Sequence, residues 1–277
     1  MIFNLIDHKY QLFLIIGISS FLTFIIIPLI IVLGNKFNLI DIPNDRKQHK
    51  KSKINIGGLG MIIGQLLTLL LIKDKFEIFS YTDDTFWIII YFSIFLFFIG
   101  FIDDIKTLSP FLRMIIQIMI ASFLWSRGFN VKAIDLGILN DGLNIYYLPD
   151  TLSLLITIFW FVGLINAINW IDGLDGLAAG VTIISSVSFL IVNIILNNYN
   201  NAIITSLLIG ISTSFLIYNK YPSKIIMGDG GSYILGFSLA SISFIGDHYP
   251  SQVFTGGIYG IIEIIIPLFI LLIPIFD

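Results

Sequence analysis

Cysteine is absent from the 277-residue sequence, which excludes both disulfides and thiolate metal ligands. Charge is scarce: Asp, Glu, Lys and Arg make up 12% of residues, against 57% hydrophobic ones and a mean hydropathy of +0.96. A soluble domain needs about a quarter of its residues charged to coat its surface. A chain this poor in charge cannot be wetted on all sides, so lipid must be its main solvent. Repeats, low-complexity tracts and soluble-domain boundaries are missing, which points to one bundle. The first apolar stretch, Tyr10–Leu33, has no small-residue cleavage site after it and is longer than a signal-peptide core. It therefore reads as a retained span. The apolar runs also lack the in–out alternation of barrel strands, which argues against a β-barrel.

What is present is a series of continuous apolar runs: Tyr10–Leu33, Gly57–Ile72, Phe86–Ile102, Phe111–Trp125, Leu152–Ile171, Leu177–Leu196, Ala202–Tyr218, Ser232–Ile245 and Gly256–Phe276. A helical span needs roughly 20 apolar residues. The expected fold is therefore an all-α integral membrane protein, a polytopic bundle of about nine transmembrane helices in a single domain over residues 1–277. Lys and Arg set its orientation. Lys36, Arg46, Lys47, Lys50, Lys51, Lys53, Lys106, Arg113, Lys220 and Lys224 fall on one side, and Lys9, Lys73, Lys75, Arg127 and Lys132 on the other. This puts the N-terminus outside and the first loop, 34–56, inside. The outside loop 126–151 is long enough to hold a small hairpin.

Four polar clusters then fall on the inside face. Gly100-Phe101-Ile102-Asp103-Asp104 ends the third run. Adjacent carboxylates there repel unless a cation or proton intervenes, so the pair is either a solvated helix end or a site for a hard cation such as Mg²⁺. In Asn166-Ala-Ile-Asn169-Trp-Ile-Asp172-Gly-Leu-Asp175-Gly176, the residues Asn169, Asp172 and Asp175 recur every third position. On a helix or tight helical turn this puts them on one side; the plain alternative is a polar turn with aspartate caps. Met227-Gly-Asp229-Gly-Gly-Ser232 could offer helix N-terminal amides to a phosphate, although a Gly-Asp-Gly turn with Ser232 as N-cap explains it equally well. Asp41-Ile-Pro-Asn-Asp45-Arg46-Lys47-Gln-His49 supplies either topology-setting charge or an electrostatic collar for phosphates. The outside loops carry no comparable cluster. Aspartates, basic residues and glycine turns together at one membrane face are what metal-assisted phosphoryl transfer requires.

These stretches, with Gly57-Gly58, Leu108, Arg113, Gln117, Asn219 and Pro274-Ile-Phe-Asp277, resemble the polyprenyl-phosphate N-acetylhexosamine-1-phosphate transferases of glycosyltransferase family 4, in family order over nearly the whole chain. The Asn169-to-Ala178 stretch is the most specific. The basic first loop is more similar to the branch using UDP-N-acetylglucosamine or a related UDP-sugar than to the peptidoglycan branch. The resemblance implies transfer of N-acetylhexosamine 1-phosphate from a UDP-sugar to undecaprenyl or another polyprenyl phosphate, with release of UMP, at the start of a cell-envelope polysaccharide. It implies a bacterial inner membrane, a cytoplasmic active site, Mg²⁺ or alternatively Mn²⁺, surrounding membrane lipid, no nucleic acid, and a homodimer as one assembly open to it. By position, Asp229 and Asp103 would hold the metal. Asp103 and Asp104 would act on the lipid phosphate. Asp172 and Asp175 complete the catalytic carboxylates and, with Asn169, hold the nucleotide-sugar. Asn219 would meet the uridine, and Arg46, Lys47, His49 and Arg113 would draw phosphates. Ile54 and Ile226 stand where the family often has a proline and a base-stacking aromatic. The chain stops at Asp277, short of the family's His-rich loop and further span. Two other readings stand beside this one: an impaired or truncated paralogue acting as a membrane scaffold, and a cation-coupled transporter.

Overall fold

A computed structural model of the protein describes residues 2–41, 53–131, 133–135 and 145–244. Eight helices follow in order: α1 (Ile2–Lys36), α2 (Gly57–Ile72), α3 (Asp84–Ile105), α4 (Pro110–Ser126), α5 (Asp150–Ile171), α6 (Leu177–Ile195), α7 (Tyr199–Asn219) and α8 (Gly228–Ile242). They coincide with the first eight apolar runs. The ninth, Gly256–Phe276, lies outside the described residues, as do Arg46, Lys47 and His49. Five helices, α1, α3, α5, α6 and α7, are long and apolar enough to cross a membrane; α2 and α4 are apolar but shorter.

Local signals set the helix ends. Asp83 caps α3 by accepting from the amides of Thr85 and Phe86. Ser109 caps α4 by accepting from Leu112 N, with Pro110 following where a missing N–H costs nothing. Asn198 does the same for α7. Inside the bundle, hydroxyls fold back onto their own helices: Thr68 donates to Gly64 O, Thr182 to Ala178 O and Ser241 to Phe237 O. This satisfies polar groups that lipid cannot.

Among the described helices, α8 has a distinct place. At 15 residues it is about 22 Å long, shorter than the bilayer core, and every residue in it but Asp229 is buried. It packs against α2, α3, α5, α6 and α7, so it is the inner rod of the bundle and not a lipid-facing span. The lipid-facing surface is borne elsewhere, by Phe13, Phe21 and Leu29 on α1, Phe111 and Met119 on α4, and Leu155 and Phe159 on α5, all exposed.

Two small antiparallel ladders join the helices. β1 (Ile40–Asp41) pairs with β2 (Lys53–Ile54), in register Ile40 to Ile54. The two ends of the basic first loop therefore meet. β3 (Ala133–Asp135) pairs with β4 (Ile145–Tyr147), which is the hairpin expected in the loop between α4 and α5.

Close approach of α1 and α7 depends on small residues. Ser20 Oγ and Ser214 Oγ lie 2.8 Å apart across the contact. A β-carbon on Gly210 would strike Ser19 Oγ and lie 2.7 Å from Ile16 O, whereas one on Gly163 of α5 would meet nothing within 4 Å. Gly210→Ala is expected to cost about 1–3 kcal/mol through overpacking. It should lower the thermal midpoint of the detergent-solubilised protein by several degrees relative to Gly163→Ala; equal midpoints would contradict this packing.

Candidate active site at the helix ends

The C-terminal ends of α3, α5 and α7 and the N-terminal ends of α2 and α8 converge at one end of the bundle, and the acidic residues sit there. Asp103, in the last turn of α3, is buried. It accepts from Leu108 N at 2.5 Å and from Arg113 Nη1 at 2.5 Å. Arg113, from the first turn of α4, also lies 3.3 Å from Asp229 Oδ2 and 3.4 Å from the hydroxyl of buried Tyr233. One guanidinium thus joins the α3 carboxylate to the α8 carboxylate. On its other side, Asp229 Oδ1 accepts from Asn169 Nδ2 at 2.8 Å, and the same amide donates to Ser232 Oγ at 2.9 Å.

Asp104 points elsewhere from its neighbour. Its Oδ1 accepts from Asn55 Nδ2 and from Asp229 N, both at 3.0 Å, and its Oδ2 accepts from Gly230 N at 3.3 Å. A carboxylate from α3 therefore caps α8. Ser232 is not the N-cap: α8 begins four residues earlier, at Gly228. Two of the glycine-stretch amides expected to meet a phosphate, those of Asp229 and Gly230, are already taken by Asp104.

The threefold spacing of Asn169, Asp172 and Asp175 does not keep them on one helical side. α5 ends at Ile171, and the chain turns before Asp175. Asn169 faces Asp229, while Asp175 accepts two bonds from Lys53 Nζ, at 2.8 and 2.9 Å, and further ones from Ser223 N and Oγ. Partial burial works against the charge on Asp175, but the bonds from Lys53 and Ser223 outweigh it and hold the carboxyl below the usual range. Asp172, between the two, is pushed well above that range by desolvation and then by the charges of Asp229, Asp104 and Asp175. Asn219 is buried and occupied at both ends of its amide, accepting from Gly176 N at 2.9 Å and donating to Ile225 O at 2.9 Å. It fixes the left-handed turn at Gly176 (φ 80°). A cavity of about 1230 Å³ opens beside this turn, lined by Lys53, Asp172, Asp175, Lys220, Tyr221 and Lys224 among others.

Sequence reasoning missed Asn55, Ser223 and Tyr233 as members of the site and counted Lys53 only as topology-setting charge. Their types carry no signal alone; adjacency to Gly57-Gly58 and to the Asp229 stretch is the only hint. Among the described residues, no three His, Cys, Asp or Glu side chains gather to enclose a metal by themselves. Asp229 and Asp103, brought together through Arg113, present carboxylate oxygens from two helices of the kind a hard cation takes. Mg²⁺ usually takes one or two carboxylates and completes its shell with water and phosphate oxygens.

A profile of glycosyl transferase family 4 matches residues 86–247, which takes in every one of these site residues except Lys53 and Asn55. The chain is 31% identical over 276 residues to a probable undecaprenyl-phosphate N-acetylglucosaminyl 1-phosphate transferase of Bacillus subtilis, covering 99% of this chain and 72% of that protein. It is 32% identical over 238 residues to the decaprenyl-phosphate N-acetylglucosaminephosphotransferase of Mycobacterium leprae, covering 81% and 58%. It is 30% identical over 256 residues to a phospho-N-acetylmuramoyl-pentapeptide-transferase of Clostridium perfringens, covering 87% and 76%.

The raised position of Asp172 predicts a pH dependence. Its ionised form is disfavoured in the folded protein, so stability is full below the ordinary carboxylate range and falls as pH rises through the raised folded-state value. Asp172→Asn, which cannot ionise, is expected to flatten that slope in thermal unfolding of the metal-free protein. An unchanged slope would show that Asp172 is not the strained group.

Proposed function

The chain belongs to glycosyl transferase family 4, and from that premise we propose that it transfers an N-acetylhexosamine 1-phosphate from a UDP-sugar to undecaprenyl phosphate or another polyprenyl phosphate, releasing UMP. The acceptor is suggested by the named acceptors of the relatives from Bacillus subtilis and Mycobacterium leprae. The site lies on the cytoplasmic face of a bacterial membrane, an orientation favoured by the ten Lys and Arg residues on that side against five on the other. In the reaction, a lipid-phosphate oxygen attacks the β-phosphorus of the UDP-sugar. The bond from that phosphorus to the bridging oxygen breaks, and UMP takes the electron pair.

The observation that carries this reading is the convergence on Asp229 of groups from three other helices: Arg113 with Asp103, Asn169, and the capping carboxylate of Asp104. Asp229 and Asp103 are the residues that would hold Mg²⁺, or Mn²⁺ in its place. Bound there, the cation supplies neutralisation of the pyrophosphate charge. Arg113 aims Asp103 through the bond from Nη1, and its remaining donors are available to a phosphate. Asn169 orients Asp229. Lys53 and Ser223 hold Asp175 at the wall of the large cavity, which fits a nucleotide-sugar in size. Asn219 acts indirectly, by shaping the Gly176 turn. A transport reading is weaker: transport sites lie near the midplane, and α2 through α8 carry no acidic residue at mid-helix.

Membranes containing the protein, given UDP-N-acetylglucosamine or UDP-N-acetylgalactosamine with undecaprenyl phosphate, are expected to release UMP only when Mg²⁺ is present. Asp229→Asn and Asp103→Asn should each lower kcat by about 10²-fold or more. Lys53→Ala should raise KM for the UDP-sugar by about tenfold, with kcat changed little, because Asp175 loses the charged hydrogen bonds, worth roughly 1.5–3 kcal/mol, that hold it at the cavity wall. UMP release that survives chelation or Asp229→Asn would overturn the assignment. Solute flux without UMP would favour the transporter instead.

A further inference from the structure

Residues 53–58 lie across the site like a stitched seam. Ile226 N donates to Ile54 O at 2.8 Å, Gly57 N to Ile226 O at 2.9 Å and Gly58 N to Met227 O at 2.7 Å. Lys53 at one end of the seam holds Asp175. Asn55 in the middle sends its side-chain amide to Asp104 Oδ1 at 3.0 Å. Because backbone bonds fix the chain on both sides of Asn55, that amide is a rigid post and not a swinging arm.

Asp104 is the next link. The oxygen that receives Asn55 also receives Asp229 N, and the other oxygen receives Gly230 N. Gly228, with φ 77°, brings the chain so close that a β-carbon there would lie 2.6 Å from Asp104 Oδ2 and 3.0 Å from Asn55 O. The direction in which α8 leaves this point therefore depends on how the Asp104 carboxylate is turned, and Asn55 is the side-chain donor that turns it. We propose that Asn55 is a positioning residue, which acts through Asp104 to fix the first turn of α8 and with it the aim of the Asp229 carboxylate. The proposal rests on the reading of Asp229 as a metal-binding carboxylate. It assigns Asp104 to the same positioning role, apart from Asp103 beside it. Asn55 is only half-buried, so its loss opens no core cavity, and the bundle's packing does not depend on it.

The test is a titration of the purified full-length protein with Mn²⁺, followed by electron paramagnetic resonance without substrates, alongside the Mg²⁺ dependence of UMP release. Asn55→Leu removes the donor. It is expected to weaken Mn²⁺ affinity and raise the Mg²⁺ concentration for half-activation by about tenfold. The metal-free thermal midpoint and the UDP-sugar KM at saturating Mg²⁺ should stay near wild type. Asn55→Asp sets a second carboxylate against Asp104 and is expected to lose more. Asn55→Gln keeps an amide donor on the same backbone post and leaves the Asp104 cap of α8 intact, and should retain Mn²⁺ affinity well above Asn55→Leu. Wild-type affinity in Asn55→Leu, or Asn55→Gln no better than Asn55→Leu, would overturn the proposal. Wild-type protein that binds no Mn²⁺ would overturn both this and the metal reading. Wild-type protein that binds Mn²⁺ but releases no UMP would overturn only the transfer reading, and the titration would still decide the role of Asn55.

Discussion

The first N–H groups of a helix have no acceptor within that helix, and at α8 this deficit falls inside a bundle of helices that lipid surrounds. Water is not at hand to meet it on every side. Asp104, from the end of α3, supplies the acceptors for two of these amides. A charged group is well suited to that place, because the aligned peptide dipoles of α8 present partial positive charge there. Once a carboxylate is committed to the cap, much else follows. α3 must end where α8 begins, Asp103 one residue earlier must face another way, and Asp229 in the first turn is carried to the same spot.

That arrangement demands backbones closer than side chains allow. A β-carbon at Gly100 would stand 2.5 Å from Asp229 C and Gly230 N, and one at Gly58 would stand 2.5 Å from Gly231 Cα. α2, α3 and α8 therefore meet as bare backbone around Asp229. The glycines of the Gly57-Gly58 and Gly228–Gly231 stretches are two sides of one contact. In the sequence the Gly228–Gly231 stretch reads as a turn or as amides offered to a phosphate, and the contact that explains it joins positions about 170 residues apart.

The fold was largely legible before the structure. Continuous apolar runs place eight helices because a helix in lipid must satisfy its backbone alone, and that constraint leaves a strong trace in composition. The role of α8 was not legible. Its serines and glycines pass for a weak span, and only the helices packed around it on many sides reveal an interior rod. The acidic residues announced themselves by type, since carboxylates at apolar borders are costly. Their partners did not: Asn55, Ser223 and Tyr233 are ordinary residues whose importance comes from being opposite a carboxylate. The threefold spacing of Asn169, Asp172 and Asp175 misled for a related reason. Periodicity assumes the helix continues, and the capped turn after Ile171 breaks it, sending Asn169 and Asp175 to different partners.

That divergence gives the site two flanks of different character. On one, Arg113 binds Asp103 and Asp229 at the foot of α4, a helix whose Phe111, Met114 and Met119 are exposed to the apolar surroundings. On the other, Lys53 binds Asp175 at the wall of a large cavity rimmed by Lys220 and Lys224. Asp172 shares this end of the bundle, and burial, with the charges of Asp229, Asp104 and Asp175 behind it, pushes its carboxyl above the usual range. The proposed reaction, which joins a membrane-bound phosphate to a water-borne nucleotide, would use this division: one partner arriving along α4, the other through the cavity, and both anions meeting over carboxylates that a divalent cation would neutralise. Arg113, Lys220 and Lys224 supply positive charge for the phosphates, and a divalent cation held by Asp229 and Asp103 would add the rest, so on the proposed reading the aim of Asp229 bears on both halves of the site.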